Sequence, residues 1–279
     1  MIPPWFDMVL ISLIGLAVGS FLNVCISRIP EEESVVKPRS RCPRCHNLIE
    51  WYDNIPVISY IILRARCRHC REKISVQYPL VEIGFVAMLL HLYHVFAQQG
   101  LSGHILFLAV GYYGILCACL LVATVIDLFH YIIPDEINIV GILIALAGAV
   151  AFPVLVGGST IFDGFIHSAV GISAGFVLLR MVVWIGALIF RKDAMGLGDP
   201  KFLAMIGAFL GWKQVLLVIF LSSSLGALIG GLFVILFRKN KKDTVIPYGP
   251  FLALGAYISM LYGDDLIKWY FSLVQPNMQ

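Results

Sequence analysis

Long apolar runs are the feature that most constrains this chain. Several of them reach or approach the ~20 residues that a helix needs to cross a bilayer. Of the 279 residues, 59% are hydrophobic and only 13% are charged, whereas an average soluble domain has about 25% charged residues. Because lipid offers no partner to an unpaired backbone group, such runs must be helices or a closed barrel, and no barrel-like alternation is present. The sequence therefore predicts an all-α polytopic membrane protein.

Hydropathy predicts about eight membrane spans. Their approximate limits are 8–28, 80–98, 104–126, 135–152, 163–190, 200–212, 214–237 and 246–270. The stretch 200–212 is too short to cross comfortably, so we expect a half-span, a tilted helix or a thinned region there. The first run lacks a preceding basic region and a small-residue cleavage site, which favours a retained helix over a signal peptide.

The basic residues predict the orientation of these spans. Ten of the 20 Lys and Arg residues lie between Arg28 and Lys73, in the loop after the first span. Seven more fall on the same side: Arg191, Lys192, Lys201, Arg238, Lys239, Lys241 and Lys242. Only Lys213 and Lys268 fall on the opposite side, and Arg180 lies within a span. The positive-inside rule therefore places the large loop in the cytoplasm and both termini outside.

Four of the seven cysteines lie in this loop, as Cys42-Pro-Arg-Cys45 and Cys67-Arg-His-Cys70. Each C-x2-C turn can direct two thiolates at one metal, and two such turns complete a tetrahedron. The reducing cytoplasm disfavours disulfides. We therefore predict a structural Zn²⁺ with no open coordination position. Two disulfides, free thiols in a degenerate site and an iron–sulfur cluster are the alternatives.

Two aspartates are predicted to share one membrane depth. Asp127 ends the third span, and Asp199 begins the sixth span from the same side. A carboxylate at such a depth is a functional candidate. Two neighbouring carboxylates cannot both ionise cheaply, so one would hold a proton while the other acts as a base on water. For each residue alone, a helix N-cap or an interfacial charge is the alternative.

Small residues and a single acidic residue suggest how the helices pack. Gly196 and Gly198 precede Asp199. Glycine allows backbone angles closed to other residues, and we expect these two glycines to let a substrate strand approach. Three G-x3-G pairs predict close helix contacts: Gly15 with Gly19, Gly207 with Gly211, and Gly226 with Gly230. Glu82, just inside the second span, is expected to make a polar contact on the cytoplasmic side.

Several blocks of the sequence resemble, in the same order, those of the type IV prepilin peptidases, bacterial members of the GxGD intramembrane aspartyl proteases. The blocks are GSFLNVCISRIP (19–30), the C-x2-C pair with WYDNIPVISY (51–60) between, SVQYPLVE (75–82), IDLFHYIIPD (126–135), GLGDPK (196–201) and IPYGPFLALG (246–255). The resemblance covers nearly the whole chain. It implies that Asp127 and Asp199 are the catalytic pair and that the four cysteines hold zinc.

The resemblance also implies a domain organisation and an activity. Residues 1–28 would be the first transmembrane helix, 29–79 a zinc loop associated with methylation, and 80–279 the peptidase core. The enzyme would sit in the bacterial inner membrane and cut type IV prepilins or type II secretion pseudopilins after a Gly, at the cytoplasmic face. It would then methylate the new N-terminus with S-adenosylmethionine. Substrate positioning is expected from Gly196, Gly198, Lys201, Pro247, Gly249 and Pro250, and no nucleic acid partner is expected.

The binding site for S-adenosylmethionine is not indicated by any motif, since no G-x-G-x-x-G lies between a strand and a helix. The large loop and the adjacent ends of the first two spans are the best prediction. Ala65 stands where the family often has Gly, which leaves a peptidase without methylation as an alternative. A transporter or proton relay that uses both aspartates is a second alternative. Against it, no carboxylate lies at the membrane midplane, where transporter sites usually lie.

Overall fold

The computed structural model describes residues 4–190, 196–237 and 246–274. Their α-helices are α1 (Pro4–Arg28), α2 (Ile58–Ile62), α3 (Gln77–Gln98), α4 (Gly103–His130), α5 (Asp135–Ala151), α6 (Ile161–Phe190), α7 (Gly198–Phe237) and α8 (Gly249–Val274). Short 3-10 turns lie at Ile29–Glu31, Trp51–Asn54 and Pro153–Val156. In these ranges the only β pairing consists of two isolated bridges in the cysteine loop. The predicted all-α class is confirmed.

Each of the eight predicted spans is helical. The predicted spans 200–212 and 214–237 are the two arms of α7, which is interrupted at Gly211 (φ 77°, ψ 169°). Within the described residues, five stretches are long and apolar enough to cross a membrane: Trp5–Glu31, Gln77–Gln98, Gly103–His130, Ile161–Ile189 and Gly198–Leu232. Six of the basic residues that support the predicted orientation lie outside the described residues: Arg191, Lys192, Arg238, Lys239, Lys241 and Lys242.

The chain divides into two compact units, which meet in sequence between Val125 and Ile126. In the first unit, α1 packs against α3. A Cβ atom on Gly19 would lie 2.8 Å from the Cα of Glu82, and one on Gly15 would lie 3.0 Å from a methyl group of Val86. The predicted close contact at Gly15-x3-Gly19 is therefore confirmed, and α3 is its partner.

In the second unit, the first arm of α7 forms the core. All residues from Phe202 to Leu210 are buried. A helix that is apolar on every side must be surrounded by protein or lipid, and here α5 and α6 pack against α7. The contact with α6 is a backbone contact, because a Cβ atom on Gly171 would overlap the carbonyl oxygen of Gly207.

The three predicted glycine pairs differ in outcome. Gly207 makes the expected close contact. Among the described residues, Gly226 and Gly230 do not approach another backbone, since a Cβ atom there would meet only side chains, at 3.7 Å from Phe251 and 3.3 Å from Ile246. The glycines on α6 that face α7 were not singled out in the sequence, although Gly171 and Gly175 have the same spacing.

The interruption of α7 at Gly211 is stabilised by side chains from α6. A break frees backbone carbonyls, which need partners in an apolar surrounding. The Ser168 hydroxyl donates a hydrogen bond to the Ala208 carbonyl (2.8 Å), and the His167 ring lies 3.4 Å from the Phe209 carbonyl oxygen. The φ of 77° at position 211 is a left-handed angle that favours glycine. Because the freed carbonyls have partners, the first arm of α7 can end inside the protein.

We predict that Gly171→Ala destabilises the second unit, because the new methyl group would overlap the Gly207 carbonyl. Overpacking of this kind costs about 1–3 kcal/mol. Thermal unfolding of the detergent-solubilised protein measures the effect. Gly186→Ala on the same helix is the matched control, since a Cβ atom there meets nothing within 4 Å. Equal melting temperatures for the two variants would contradict the backbone contact.

Candidate functional site

The four loop cysteines form a cluster that fits a metal ion. Their Sγ atoms all lie within 4.8 Å of one another, and those of Cys42 and Cys70 are 3.9 Å apart. Tetrahedral zinc with Zn–S bonds of about 2.3 Å places its sulfurs about 3.8 Å apart. All seven cysteines are free thiols, which argues against two disulfides. Backbone N–H groups of Cys70 and His69 lower the pKa of Cys67 to about 7, whereas burial and the neighbouring thiols raise the pKa of Cys70 to about 11. The sulfur geometry, and not these pKa values, therefore supports the metal site.

The two C-x2-C turns are built in the same way, 25 residues apart in sequence. In each turn the N–H of the first cysteine donates to the carbonyl five residues later, and the residue after the second cysteine has a left-handed φ. The hydrogen bonds join Cys42 to Asn47 (3.0 Å) and Cys67 to Glu72 (2.8 Å), and the left-handed residues are His46 (φ 57°) and Arg71 (φ 60°). An antiparallel bridge closes each turn, Arg41 with Leu48 and Arg66 with Lys73. This internal repeat directs two pairs of thiolates at one point.

An ion pair ties the second turn to the middle of the loop. The Arg68 guanidinium donates to both oxygens of Asp53, at 2.7 and 2.5 Å, and lies 5.5 Å from the centre of the Tyr52 ring. The Asp53 side chain is only 8% exposed. The hydrogen bond and charge of Arg68 hold the pKa of Asp53 below its usual range. The loop between the two turns is thus fixed to the metal cluster.

Ala65, two residues before Cys67, has a left-handed backbone with φ 57°. A non-glycine residue in this region costs roughly 1–2 kcal/mol. The Ala65 carbonyl nevertheless accepts a hydrogen bond from the Ile74 N–H at 2.8 Å. Alanine therefore takes up this left-handed conformation while its carbonyl takes part in the bridge that closes the second turn.

The two predicted aspartates lie in the second unit, each at a helix end. Asp127 lies near the C-terminal end of α4 and is 6% exposed. Its Oδ2 accepts a hydrogen bond from the Gly249 N–H, at 2.9 Å. Asp199 is the second residue of α7 and is half-buried. The two carboxylates are close enough to interact electrostatically.

Ile133 joins the helix ends that carry this site. A Cβ atom on Gly198 would lie 3.3 Å from the Cβ of Ile133. One on Gly249 would lie 3.1 Å from the Cδ1 of Ile133 and 2.6 Å from Oδ2 of Asp127. The end of α4 and the starts of α7 and α8 therefore meet around Ile133. The Asp127 carboxylate lies at this junction, and Asp199 follows Gly198 in the chain.

The other predicted residues have varied surroundings. Gly196 and Gly198 are not among the described glycines with positive φ. Gly198 makes room for the backbone of Ile133. Lys201 pairs with Asp135 through both carboxylate oxygens, at 2.6 and 2.8 Å. Pro247 and Pro250 are half-buried on either side of Gly249.

Sequence reasoning missed two polar features of the second unit. The first is the hydrogen bond of Gly249 to Asp127. The first N–H groups of a helix lack intrahelical partners, and proline has none, so the Gly249-Pro250 pair at the start of α8 was the available signal. The second is Asn138, which is 1% exposed and whose amide nitrogen and oxygen lack partners among the described groups. A water or polar ligand is the usual partner of such a group.

The fold and its sites define an integral membrane protein with a carboxylate pair at a junction of helix ends and a four-cysteine metal-binding loop. The bacterial peptidase A24 N-terminal domain model matches residues 13–96, and the type IV leader peptidase family model matches residues 114–231. Together with the relatives described next, these matches show that the chain belongs to the type IV leader peptidase family. No solved structure matches the chain.

Three similar proteins all carry the name prepilin leader peptidase/N-methyltransferase. The Aeromonas salmonicida protein is 35% identical over 97% of this chain and 96% of its own length. The Pseudomonas putida protein is 33% identical over 94% of this chain and 93% of its own length. The Myxococcus xanthus protein is 38% identical over 81% of this chain, which covers 63% of the length of that relative.

We predict that the purified protein contains one metal ion per chain, which elemental analysis will detect as zinc. Cys42→Ser and Cys67→Ser should each lose most of the metal, because three thiolates leave a tetrahedral site incomplete. Cys119→Ser is the matched control, since this cysteine lies in α4 and outside the cluster. Metal retained at the wild-type level in both loop variants would contradict the assignment.

Proposed function

We propose that this chain removes the leader peptide of type IV prepilins or type II secretion pseudopilins and then methylates the new N-terminus. Membership of the leader peptidase family supports this function, as do relatives named for both activities. The observation that supports the peptidase half is that Gly198, the neighbour of Asp199, and the Asp127–Gly249 pair both adjoin Ile133. Two acidic groups at one junction suit the activation of water, which needs a base and an acid.

In the proposed mechanism the two aspartates share the work of acid and base. One carboxylate takes a proton from water, and the water oxygen attacks the carbonyl carbon of the scissile bond. The other, protonated carboxyl donates to the carbonyl oxygen. Collapse of the tetrahedral intermediate breaks the C–N bond and delivers a proton to the leaving amine. Such a pair titrates as a unit.

The Gly249 N–H holds the Asp127 carboxylate in a fixed orientation for this reaction. Its hydrogen bond to Oδ2 leaves the other oxygen, Oδ1, for water or substrate. Preorganised groups of this kind matter because small displacements of a catalytic group reduce the rate strongly. The start of α8 therefore contributes to catalysis through the position of Asp127.

The proposed site of cleavage is the cytoplasmic edge of the bacterial inner membrane. The predicted orientation, which rests on the basic residues, assigns the end of α4 and the start of α7 to the cytoplasmic side. A substrate with a basic leader and an apolar helix would keep the leader in the cytoplasm and the helix in lipid. Its scissile bond would then lie at the depth of the two aspartates, where water can reach them.

The cysteine cluster is proposed to hold structural Zn²⁺ through Cys42, Cys45, Cys67 and Cys70. Four thiolates give the site a net charge of about −2. Arg41, Arg44, Arg66 and Arg71 lie next to the four cysteines in sequence and offset part of this charge. The bound metal would supply folding energy to the loop, which has few buried residues of its own.

We predict that Asp127→Asn and Asp199→Asn each abolish cleavage of a purified prepilin. Each substitution keeps the shape of the side chain and removes an acid–base group, so the rate should fall at least about 10³-fold. Intact mass of the product measures cleavage, and with S-adenosylmethionine present it also detects an added methyl group. Glu136→Gln is the control, an exposed carboxylate at the start of α5. A folded aspartate variant that still cleaves at the wild-type rate would refute the mechanism.

Gly249→Ala should slow cleavage by at least about tenfold, because its methyl group would lie 2.6 Å from Asp127 Oδ2 and displace that carboxylate. Initial rates at saturating prepilin measure the effect. Gly226→Ala, whose Cβ atom makes only ordinary contacts, should cleave at the wild-type rate. If the two alanine variants are equally active, the N–H of Gly249 does not position Asp127.

A further inference from the structure

The first unit contains a cavity of about 780 Å³ that the proposed peptidase mechanism does not use. It is lined by the last turns of α1, the cysteine loop and the start of α3. This volume falls within the roughly 300–1,000 Å³ of small-molecule binding sites. The rings of Tyr60 and Tyr78 and the side chains of Asn23 and Glu82 form part of its wall.

Glu82 is a buried carboxylate in this wall without a cationic partner. The residue is 6% exposed, and none of the ion pairs among the described residues includes it. Its Oε2 accepts a hydrogen bond from the Val57 N–H at 2.8 Å. Val57 has φ 59° and ψ −48°, which is unusual for a β-branched residue. A buried carboxylate is normally balanced by a positive group, and the cavity is where a cationic ligand can supply it.

Asn23 provides a second open acceptor in the same wall. The residue is 2% exposed. Its Nδ2 donates to the carbonyl oxygens of Tyr78 (3.0 Å) and Gly19 (3.4 Å), which fixes the orientation of the amide. Its Oδ1 has no hydrogen-bond partner among the described groups. A ligand with N–H groups would satisfy this oxygen.

We propose that this cavity binds S-adenosylmethionine and that Glu82 opposes the positive charge of its sulfonium group. The ligand has the features that the wall requires, namely a cationic centre, N–H donors and a flat ring system that can pack against Tyr60 or Tyr78. The inference rests on the proposed function, since that function assigns methylation to this chain. It narrows the region predicted from the sequence to one cavity and adds the residue that recognises the charge of the methyl donor.

This assignment has a consequence for selectivity. S-adenosylmethionine carries a positive sulfur, whereas the sulfur of its product, S-adenosylhomocysteine, is neutral. An uncompensated carboxylate close to the sulfur stabilises only the charged form. Glu82 should therefore favour the methyl donor over the spent product, and its replacement should remove most of that preference.

The test is equilibrium binding of S-adenosylmethionine and S-adenosylhomocysteine to the full-length protein in detergent, measured by calorimetry. Glu82→Gln keeps an oxygen that can accept from Val57 N–H and removes the charge. We expect it to weaken binding of S-adenosylmethionine at least about tenfold and of S-adenosylhomocysteine less than about threefold. Glu50→Gln is the control, an exposed carboxylate of the same loop that does not line the cavity. Prepilin cleavage by each variant checks that the protein is folded.

Unchanged affinity of Glu82→Gln for S-adenosylmethionine would overturn the inference while the proposed function stands. A wild-type protein that cleaves prepilin but neither binds nor uses S-adenosylmethionine would refute the methylation half of the proposed function, and this inference with it. If Glu82→Gln does not fold, ultraviolet cross-linking of methyl-labelled S-adenosylmethionine to the wild type decides the question. Label in peptides from residues 20–82 supports the cavity, and label confined to residues 126–279 overturns it.

Discussion

The second unit depends on close backbone contacts between α6 and α7, where Gly171 meets Gly207 and Gly175 meets Leu203. Side chains are absent where Gly171 meets Gly207, so the two helices approach closely and the first arm of α7 is buried on all sides. The carbonyls freed where the arm ends at Gly211 are satisfied by His167 and Ser168 of the same neighbouring helix. A short, fixed helix results, and Asp199 lies at its first turn. The position of Asp199, one of the two candidate catalytic residues, therefore depends on the packing of Gly207, about two helical turns further along α7.

Polar groups in this apolar protein are accommodated mainly where helices begin or end. Asp127 lies at a helix end and bonds to the first N–H of α8, and Lys201 pairs with Asp135 across two helix starts. The same principle holds in the first unit, where Glu82 near the start of α3 accepts from the loop. Helix ends carry unpaired backbone groups in any case. A functional side chain at a helix end can form hydrogen bonds with these backbone groups. No polar group is then left unpaired in lipid.

Much of this architecture could be predicted from the sequence, because apolar length and C-x2-C spacing depend on local residues. All eight apolar segments are helical, and the four cysteines form one cluster. The contacts of Gly249 with Asp127 and of Gly171 with Gly207 join residues 122 and 36 positions apart, and nothing local marks the partner. The contact of Gly198 with Ile133 likewise joins residues far apart in the sequence. The 25-residue repeat of the cysteine turns can be read from the sequence spacing. The hydrogen bonds that the two turns have in common cannot.

The most direct test of the central claim, that Asp127 and Asp199 act together on one water molecule, is a double-mutant cycle on the single-turnover rate of prepilin cleavage. The rates of Asp127→Asn, Asp199→Asn and the variant with both substitutions are compared with that of the wild type. Groups that act as a unit are strongly non-additive, so we expect the double variant to be no slower than either single variant. Losses that multiply in the double variant, or a single variant that keeps more than about a tenth of the wild-type rate, would contradict the account.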